Sequence, residues 1–176
     1  MIYICTIDTP LGAMTAAARE NGLIGLWFVG QRYYPAGTDL WVCKPDHPVF
    51  EQTRDYLALY FSGTAGAPEV RLAPSGSSFQ KTVWDILTRI PTGQVATYGQ
   101  IAQYIARNRG LASMSAQAVG GAVGHNPISI LIPCHRVVGA NGSLTGYAGG
   151  LDKKAALLRI EKSEPGTTME FFTPKQ

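Results

Sequence analysis

The chain has 176 residues, 45% of them apolar and 15% charged, with 15 Lys and Arg against 12 Asp and Glu for a net charge of +3. That length suits one ordinary domain or two small ones around a real core, and the composition excludes a disordered chain. The small basic excess is compatible with nucleic acid but does not demand it.

The start, Met1-Ile2-Tyr3-Ile4-Cys5, lacks the basic opening of a secretory signal, and Asp8 follows early. No apolar run approaches bilayer length. Three widely spaced cysteines, Cys5, Cys43 and Cys134, argue against a disulfide framework. A cytoplasmic protein with no membrane partner is therefore expected.

Taken in order, Ile2 to Ile7 reads as a strand that stops at the turn signal Thr9-Pro10-Leu11-Gly12. Ala13 to Ala18 is a second strand, Glu20-Asn21-Gly22 a hairpin turn, and Leu23 to Val29 a third strand, so a meander is predicted. Gln31 to Pro48, with no clear period, reads as loop. Val49 to Phe61 places Val49, Phe50, Tyr56, Leu57, Tyr60 and Phe61 at helical spacing and ends at Ser62-Gly63. Gly63 to Ser78 is rich in Gly, Pro and Ser, with a short strand expected at Val70-Arg71-Leu72. It marks the junction of two domains, 1–74 and 75–176.

The second part reads as helical. Ser77 or Ser78 caps a helix carrying Phe79, Val83, Trp84, Ile86, Leu87 and Ile90, which Pro91-Thr92-Gly93 ends. After the extended Val95-Ala96-Thr97, Thr97 caps a helix through Tyr98, Ile101, Ala102 and Ile105. Ser113 or Ser115 starts another through Val119 to Val123. Two short helices joined by a loop suggest a helix-turn-helix, although many helical proteins contain such pairs. Asn126-Pro127 breaks the chain, and Ile128 to Ile132 is a buried strand-like run into Pro133-Cys134-His135-Arg136. Asn141-Gly142 signals a hairpin between Val137-Val138 and Leu144-Thr145, and Asp152 to Lys162 is the last helix.

Cys134 stands beside His135 and before Arg136. A thiolate is the nucleophile of cysteine chemistry; an imidazole can take its proton and a cation can favour the anion. Glu161, on the last helix, is a candidate to fix the imidazole tautomer, as carboxylates do in nucleophilic triads. By themselves these residues read more readily as a buried, inert cysteine next to a satisfied histidine, because Cys-His adjacency is common by chance. Sequence neighbours do not naturally face each other, so a water bridge would be needed.

The string Ile132-Pro133-Cys134-His135-Arg136-Val137-Val138 resembles the active-site signature of the O6-alkylguanine-DNA alkyltransferases. The resemblance includes Ala118-Val119-Gly120-Gly121-Ala122, Asn126-Pro127 and Gly146-Tyr147-Ala148-Gly149-Gly150. It reaches back to Phe79, Val83-Trp84 and Tyr98-Gly99-Gln100 and forward to Leu157-Leu158 and Glu161. The first part of the chain resembles the family's variable N-terminal domain only in pattern.

The resemblance implies an α+β protein, with a small ribonuclease-H-like N-terminal sheet and helix before a mainly helical, winged-helix-like part. Cys134 would accept the alkyl group irreversibly from O6-alkylguanine, once per molecule and without base excision. O4-alkylthymine is a further expected substrate. His135 would act as base through water, Glu161 would orient it, and Asn126 would hold the turn into the active-site segment. Tyr98 would donate toward the guanine ring and help rotate the nucleotide, because a base inside a duplex must be flipped out to be reached. The N–H of Ala148 would face O6, the carbonyls of Cys134 and Val137 would accept from the exocyclic amine, and Val123 and Tyr147 would wall the pocket.

The same resemblance implies that the helix from Ser115 to Val123 enters the minor groove. Tyr98, Gly99, Ser115, Gln117 and Gly120 would contact double-stranded DNA, the small residues allowing close approach or tight helix packing. Many members carry an arginine where this chain has Gln117, so a weaker electrostatic term is expected. The loop Arg107 to Ser113 is longer than usual, and Arg107 and Arg109 could touch phosphate. Some members hold zinc in the N-terminal domain. Cys5, Cys43 and His47 raise that question, but no fourth ligand follows and coincidence is the preferred reading. A monomer with no metal and no organic cofactor is expected. The alternatives are a non-catalytic lesion binder, an alkylation-responsive regulator and a cysteine hydrolase. Cys134 argues against the first, and the chain has no room for the regulator's extra module. Tyr98, Asn126 and Tyr147 have no place in the hydrolase.

Overall fold

Three antiparallel strands open the fold in the computed structural model, which describes residues 1–163; the last residues of the expected C-terminal domain, 164–176, lie outside the described residues. They are β1 (Tyr3–Ile7), β2 (Met14–Arg19) and β3 (Gly22–Phe28), and the hairpin turns fall where Gly12 and Gly22 take positive φ. The sheet order is β3-β2-β1-β4, and β4 (Val42–Cys43) pairs with β1 in parallel. The chain separates into two units, Met1–Gly76 with Pro127–Leu131, and Ser77–Asn126 with the chain from Ile132 onward.

In the first unit, α1 (Pro48–Phe61) packs Phe50, Thr53, Leu57 and Tyr60 against β2 and β3. Pro48 sits in its first turn, where its missing N–H costs nothing, and His47 Nδ1 accepts from Val49 N. Gly25 is a position that needs glycine. A Cβ there would lie 1.8 Å from the Trp27 ring, which folds over it and meets Tyr34 and Trp41 at centroid separations of 6.3 and 6.2 Å.

Three expectations change here. The stretch from Gln31 to Pro48 is not all loop: it holds a 3-10 turn at Thr38–Leu40 and the strand β4. Both β4 residues are exposed and show no alternation. The strand exists through backbone bonds alone, Val42 N to Ile2 O at 2.9 Å and Lys44 N to Ile4 O at 3.0 Å. The strand expected at Val70–Leu72 reduces to a single bridge between Leu72 and Leu23. The run Ile128–Ile132 is buried but is not a strand. Ile128 bridges to Leu26, and the chain then turns through Ile130 at φ 70, a strained angle for a β-branched residue.

The second unit begins with α2 (Ser78–Thr88), then β5 (Ala96–Thr97), α3 (Tyr98–Asn108) and α4 (Ala116–Gly124). Ser77 and Gln80 close a capping box on α2, and Thr97 and Gln100 close another on α3, while Ser115 caps α4. Each box satisfies two amides that the first helical turn leaves without partners. α4 packs on both α2 and α3, and the indole of Trp84 donates to Ala122 O at 2.8 Å.

The expected hairpin around Asn141-Gly142 does not form. Strand β6 (Val137–Val138) pairs in parallel with β5 instead. The Asn-Gly signal is met by a tight turn at Ala140–Gly142, with Asn141 at φ 62 and Gly139 N bonded to Ser143 O at 2.8 Å. Leu144 and Thr145 are exposed, and the Thr145 carbonyl serves side chains rather than a strand. The last helix, α5 (Leu151–Ile160), ends with Glu161 at its C-cap, so Glu161 and Lys162 follow the helix.

Candidate active site

The site is built on the segment that re-enters the second unit at Ile132. Asn126 Nδ2 donates to Ile132 O at 2.8 Å, tying the residue that ends the α4 segment to the approach of Cys134. Pro133 then leads into a 3-10 turn, Cys134–Arg136, whose three side chains are all buried. The turn gives consecutive residues different directions, which is how one segment supplies several functional groups.

Burial pushes the Cys134 thiol above its ordinary pKa; the Asn126 hydrogen bond, the Lys154 charge and nearby backbone amides pull the other way without prevailing. Burial also lowers the pKa of His135, against the pull of Glu161, so the imidazole is neutral at pH 7. His135 Nε2 and Glu161 Oε1 lie 2.6 Å apart, fully shielded from solvent. Arg136 grips the same carboxylate with Nε at 2.8 Å and Nη2 at 3.0 Å, and its other donors reach Ile90 O and Thr92 Oγ1. Burial works against the Glu161 charge, but His135 and Arg136 overcome it and hold the carboxyl down at about 2. Because His135 is neutral at pH 7, Arg136 is the permanent counter-charge.

Arg136 therefore does not fill the cationic role beside the thiolate that its position suggests. Its guanidinium is committed to Glu161 and to Ile90 and Thr92, and the cation acting on Cys134 is Lys154. Lys154 is fully buried, and its ammonium donates to the carbonyls of Val137, Thr145 and Gly146. Sequence reading missed it, because Asp152-Lys153-Lys154 looks like a solvated helix start. The available signal was spacing: Lys154, Leu157 and Glu161 are three and four residues apart, and all three are buried.

Tyr98 begins α3 and donates its hydroxyl to Thr145 O at 3.0 Å. Burial first, and then the charge of Cys134, raise its pKa, so the two side chains share one electrostatic neighbourhood. Val123 and Val137 are buried, while Tyr147 and Ala148 are half-buried. Tyr98 also borders a cleft of about 710 Å³, together with Thr97, Gly99, Ala116, Gln117, Gly120, Gly121 and Ala140. Gln117 and Gly99 are exposed, and Ser115 is occupied as the α4 cap through Ala118 N.

Helix α4 carries no charged residue. A Cβ at Gly120 would come no nearer than 3.7 Å to the Tyr98 ring, and at Gly121 or Gly124 it would meet nothing. Internal packing therefore does not require these glycines. Arg109 lies along α2, with Nη2 3.3 Å from Thr82 Oγ1 and its guanidinium 5.9 Å from the Phe79 ring centre.

The zinc question attaches to side chains with other work. His47 caps α1, Cys5 is buried with Arg54 Nη1 at 3.9 Å, and Cys43 is exposed on β4. Among the described residues no three His, Cys, Asp or Glu side chains are grouped to hold a metal, and no helix is long and apolar enough to cross a membrane.

Residues 78–163 match the family described as 6-O-methylguanine DNA methyltransferase, DNA binding domain. A methylated-DNA–protein-cysteine methyltransferase of Mycobacterium bovis is 43% identical over 172 residues, covering 98% of this chain and 99% of that protein. One of the same name from Methanosarcina acetivorans is 41% identical over 162 residues, 92% of this chain and 99% of its own length. Among solved structures, Mycobacterium tuberculosis OGT in complex with DNA superimposes with a TM-score of 0.81 at 42% identity, covering 91% of this chain and 93% of that one.

Proposed function

The chain belongs to the methylated-DNA–protein-cysteine methyltransferases, and from that premise we propose which of its residues carry out the repair. The activity is direct reversal: the protein binds DNA and takes the methyl group onto one of its own cysteines. Cys134 is the acceptor and O6-alkylguanine the donor, with O4-alkylthymine as a second substrate. The reading rests on one observation above the others, the fully buried 2.6 Å contact of His135 Nε2 with Glu161 immediately beside Cys134.

The chemistry follows from the charges. A buried thiol with a raised pKa is not a resting thiolate, so it needs a base. His135 is neutral and can accept a proton. Glu161, kept ionised by Arg136, takes the Nε2–H and leaves Nδ1 as the basic nitrogen. The Cys134 proton passes through water to His135, sulfur attacks the alkyl carbon, and the carbon–O6 bond breaks as the carbon–sulfur bond forms. The electron pair goes to the guanine, which returns to its keto form on gaining a proton. Tyr98, once its hydroxyl turns from Thr145 O toward the ring, and the Ala148 N–H, by facing O6, stabilise that leaving group. The carbonyls of Cys134 and Val137 hold the exocyclic amine, Val123 and Tyr147 wall the base, and Asn126 holds the Cys134 segment in place. A thioether does not revert, so each molecule acts once.

For the DNA interface, α4 enters the minor groove. Gln117 fills the gap left by the flipped base, the Ser115 end and Gly99 meet the backbone, and Gly120 permits close approach. That none of the α4 glycines is required by internal packing supports this reading. The protein acts as a monomer in the cytoplasm, where a lone thiol stays reduced. The unit that begins at Ser77 carries the chemistry, and residues 1–74 support it without touching DNA. A lesion binder without chemistry is disfavoured by a cysteine set beside a base and its carboxylate.

Digestion of a treated O6-methylguanine duplex to nucleosides tests the assignment. One lesion should disappear per protein molecule, replaced by guanine with no abasic site. Continued turnover, or release of a methylated base, would contradict it.

A further inference from the structure

Lys154 is a buried cation to which the alkyl-transfer steps assign neither a proton nor a bond. Shielding a lysine ammonium from water is costly, and an apolar side chain of similar volume would avoid that cost. Burial accordingly pulls its pKa down to about 8. What the ammonium gains is three carbonyl partners from two separate segments. Val137 O lies directly after the Cys134–Arg136 turn, at 2.5 Å, and Thr145 O and Gly146 O lead into Tyr147 and Ala148, both at 3.1 Å. An ammonium has three protons, so three carbonyls occupy it fully and leave no N–H for sulfur or base. The Thr145 carbonyl is gripped a second time by the Tyr98 hydroxyl.

We propose that Lys154 is a positioning residue for the alkylated base, a brace that holds the Cys134–Val137 wall of the pocket at a fixed distance from the Thr145–Ala148 wall. This rests on the function proposed above, in which those two segments bracket the guanine. The brace governs where the alkyl carbon sits relative to Cys134 Sγ. Its charge also reaches Cys134, so the two roles must be separated by experiment.

The test compares two reactions of Cys134 in the full chain and in Lys154→Met, which keeps the apolar stem and removes the ammonium. The first is methyl transfer from an O6-methylguanine duplex, followed over a range of duplex concentrations to separate the limiting rate from half-saturation. The second is alkylation by iodoacetamide, which needs only the thiolate, read on the Cys134 peptide across pH so that a shifted thiol titration is distinguished from a lower limiting rate. A misplaced reacting atom lowers the limiting duplex rate by about 100-fold, while the limiting iodoacetamide rate stays within a few-fold of the parent and half-saturation moves little. Lys154→Gln keeps two donors on a shorter arm; it is expected to recover part of the duplex rate and serves if Lys154→Met does not fold. Equal losses in both reactions would overturn the brace in favour of a charge acting on sulfur, and no loss in either would make Lys154 mere packing. A parent chain that reacts with iodoacetamide but takes no methyl from the duplex would instead remove the functional reading on which the brace rests.

Discussion

The two units of this chain treat charge differently. Within Met1–Gly76 and Pro127–Leu131 there are five Lys and Arg against seven Asp and Glu; within 77–126 and 132–163 there are nine against three. Their interiors differ as well. In the first unit, buried Thr53 donates to Val49 O, His47 accepts from Val49 N and Thr15 meets the Tyr34 hydroxyl, each serving the local fold. The second unit buries His135, Arg136, Lys154 and Glu161 in one neighbourhood. Such a cluster is poor for stability and useful for chemistry, because a low-polarity surrounding strengthens each interaction that survives in it. The contrast is the one expected if the first unit supports and the second reacts, as proposed above.

Glu161→Gln attacks the contrast where it is sharpest. It leaves Arg136 buried without its carboxylate and lets His135 choose its tautomer. Methyl transfer should fall by about 100-fold or more, and the folded state should lose about 3 kcal/mol. Kinetics on the duplex together with denaturant unfolding would check both; a variant with normal rate would remove Glu161 from the site.

Acid should expose the same cluster. His135 has a lowered pKa when folded, so the unfolded chain takes up that proton first and stability declines as pH falls below about 6.5. Glu161 follows: its contribution is complete above its ordinary 4.5 and is lost as pH falls to about 2, worth about 3 kcal/mol in all. Thermal unfolding across this range should show the decline, and Glu161→Gln should flatten its lower part. An unchanged lower part would contradict the buried carboxylate.

Much of this arrangement was visible in the residues, though unevenly. The caps were legible in part: Thr97 stood out for α3, whereas Ser77 shared its place with Ser78 and Ser115 with Ser113, and the Gln80 and Gln100 halves of the capping boxes went unread. The Cys134–His135–Glu161 grouping came from a family resemblance, since His135 and Glu161 stand 26 positions apart and the chain between them carries no local signal of their contact. Strand β4 was illegible because two exposed residues show no period, and its bonds come from a distant strand. Asn141-Gly142 misled because that dipeptide specifies only a tight turn. What its flanks do depends on competitors for the backbone, here β5 for Val137–Val138 and Tyr98 with Lys154 for Thr145. Lys154 was hidden by composition, a lysine where amphipathic helices usually meet water.

Smaller effects sharpen the DNA side of the comparison. Gly121→Ala adds a methyl group into open space on an exposed helix position, so folding should gain about 0.5–1 kcal/mol. If α4 lies against DNA, affinity for a duplex should fall at the same time; a gain in stability with unchanged binding would free α4 from the interface. Gln117→Arg should tighten duplex binding modestly and steepen its dependence on salt by about one unit in the logarithmic slope. Identical salt curves for the two proteins would take position 117 away from DNA.

The central claim, that Cys134 becomes the permanent carrier of the alkyl group, is tested most directly by peptide mass spectrometry after incubation with an O6-methylguanine duplex. The account predicts one methyl group on the Cys134 peptide, saturating at one per molecule, with Cys5 and Cys43 unchanged and no transfer in Cys134→Ser. A methyl group on another cysteine, or lesion binding with no change in mass, would contradict it.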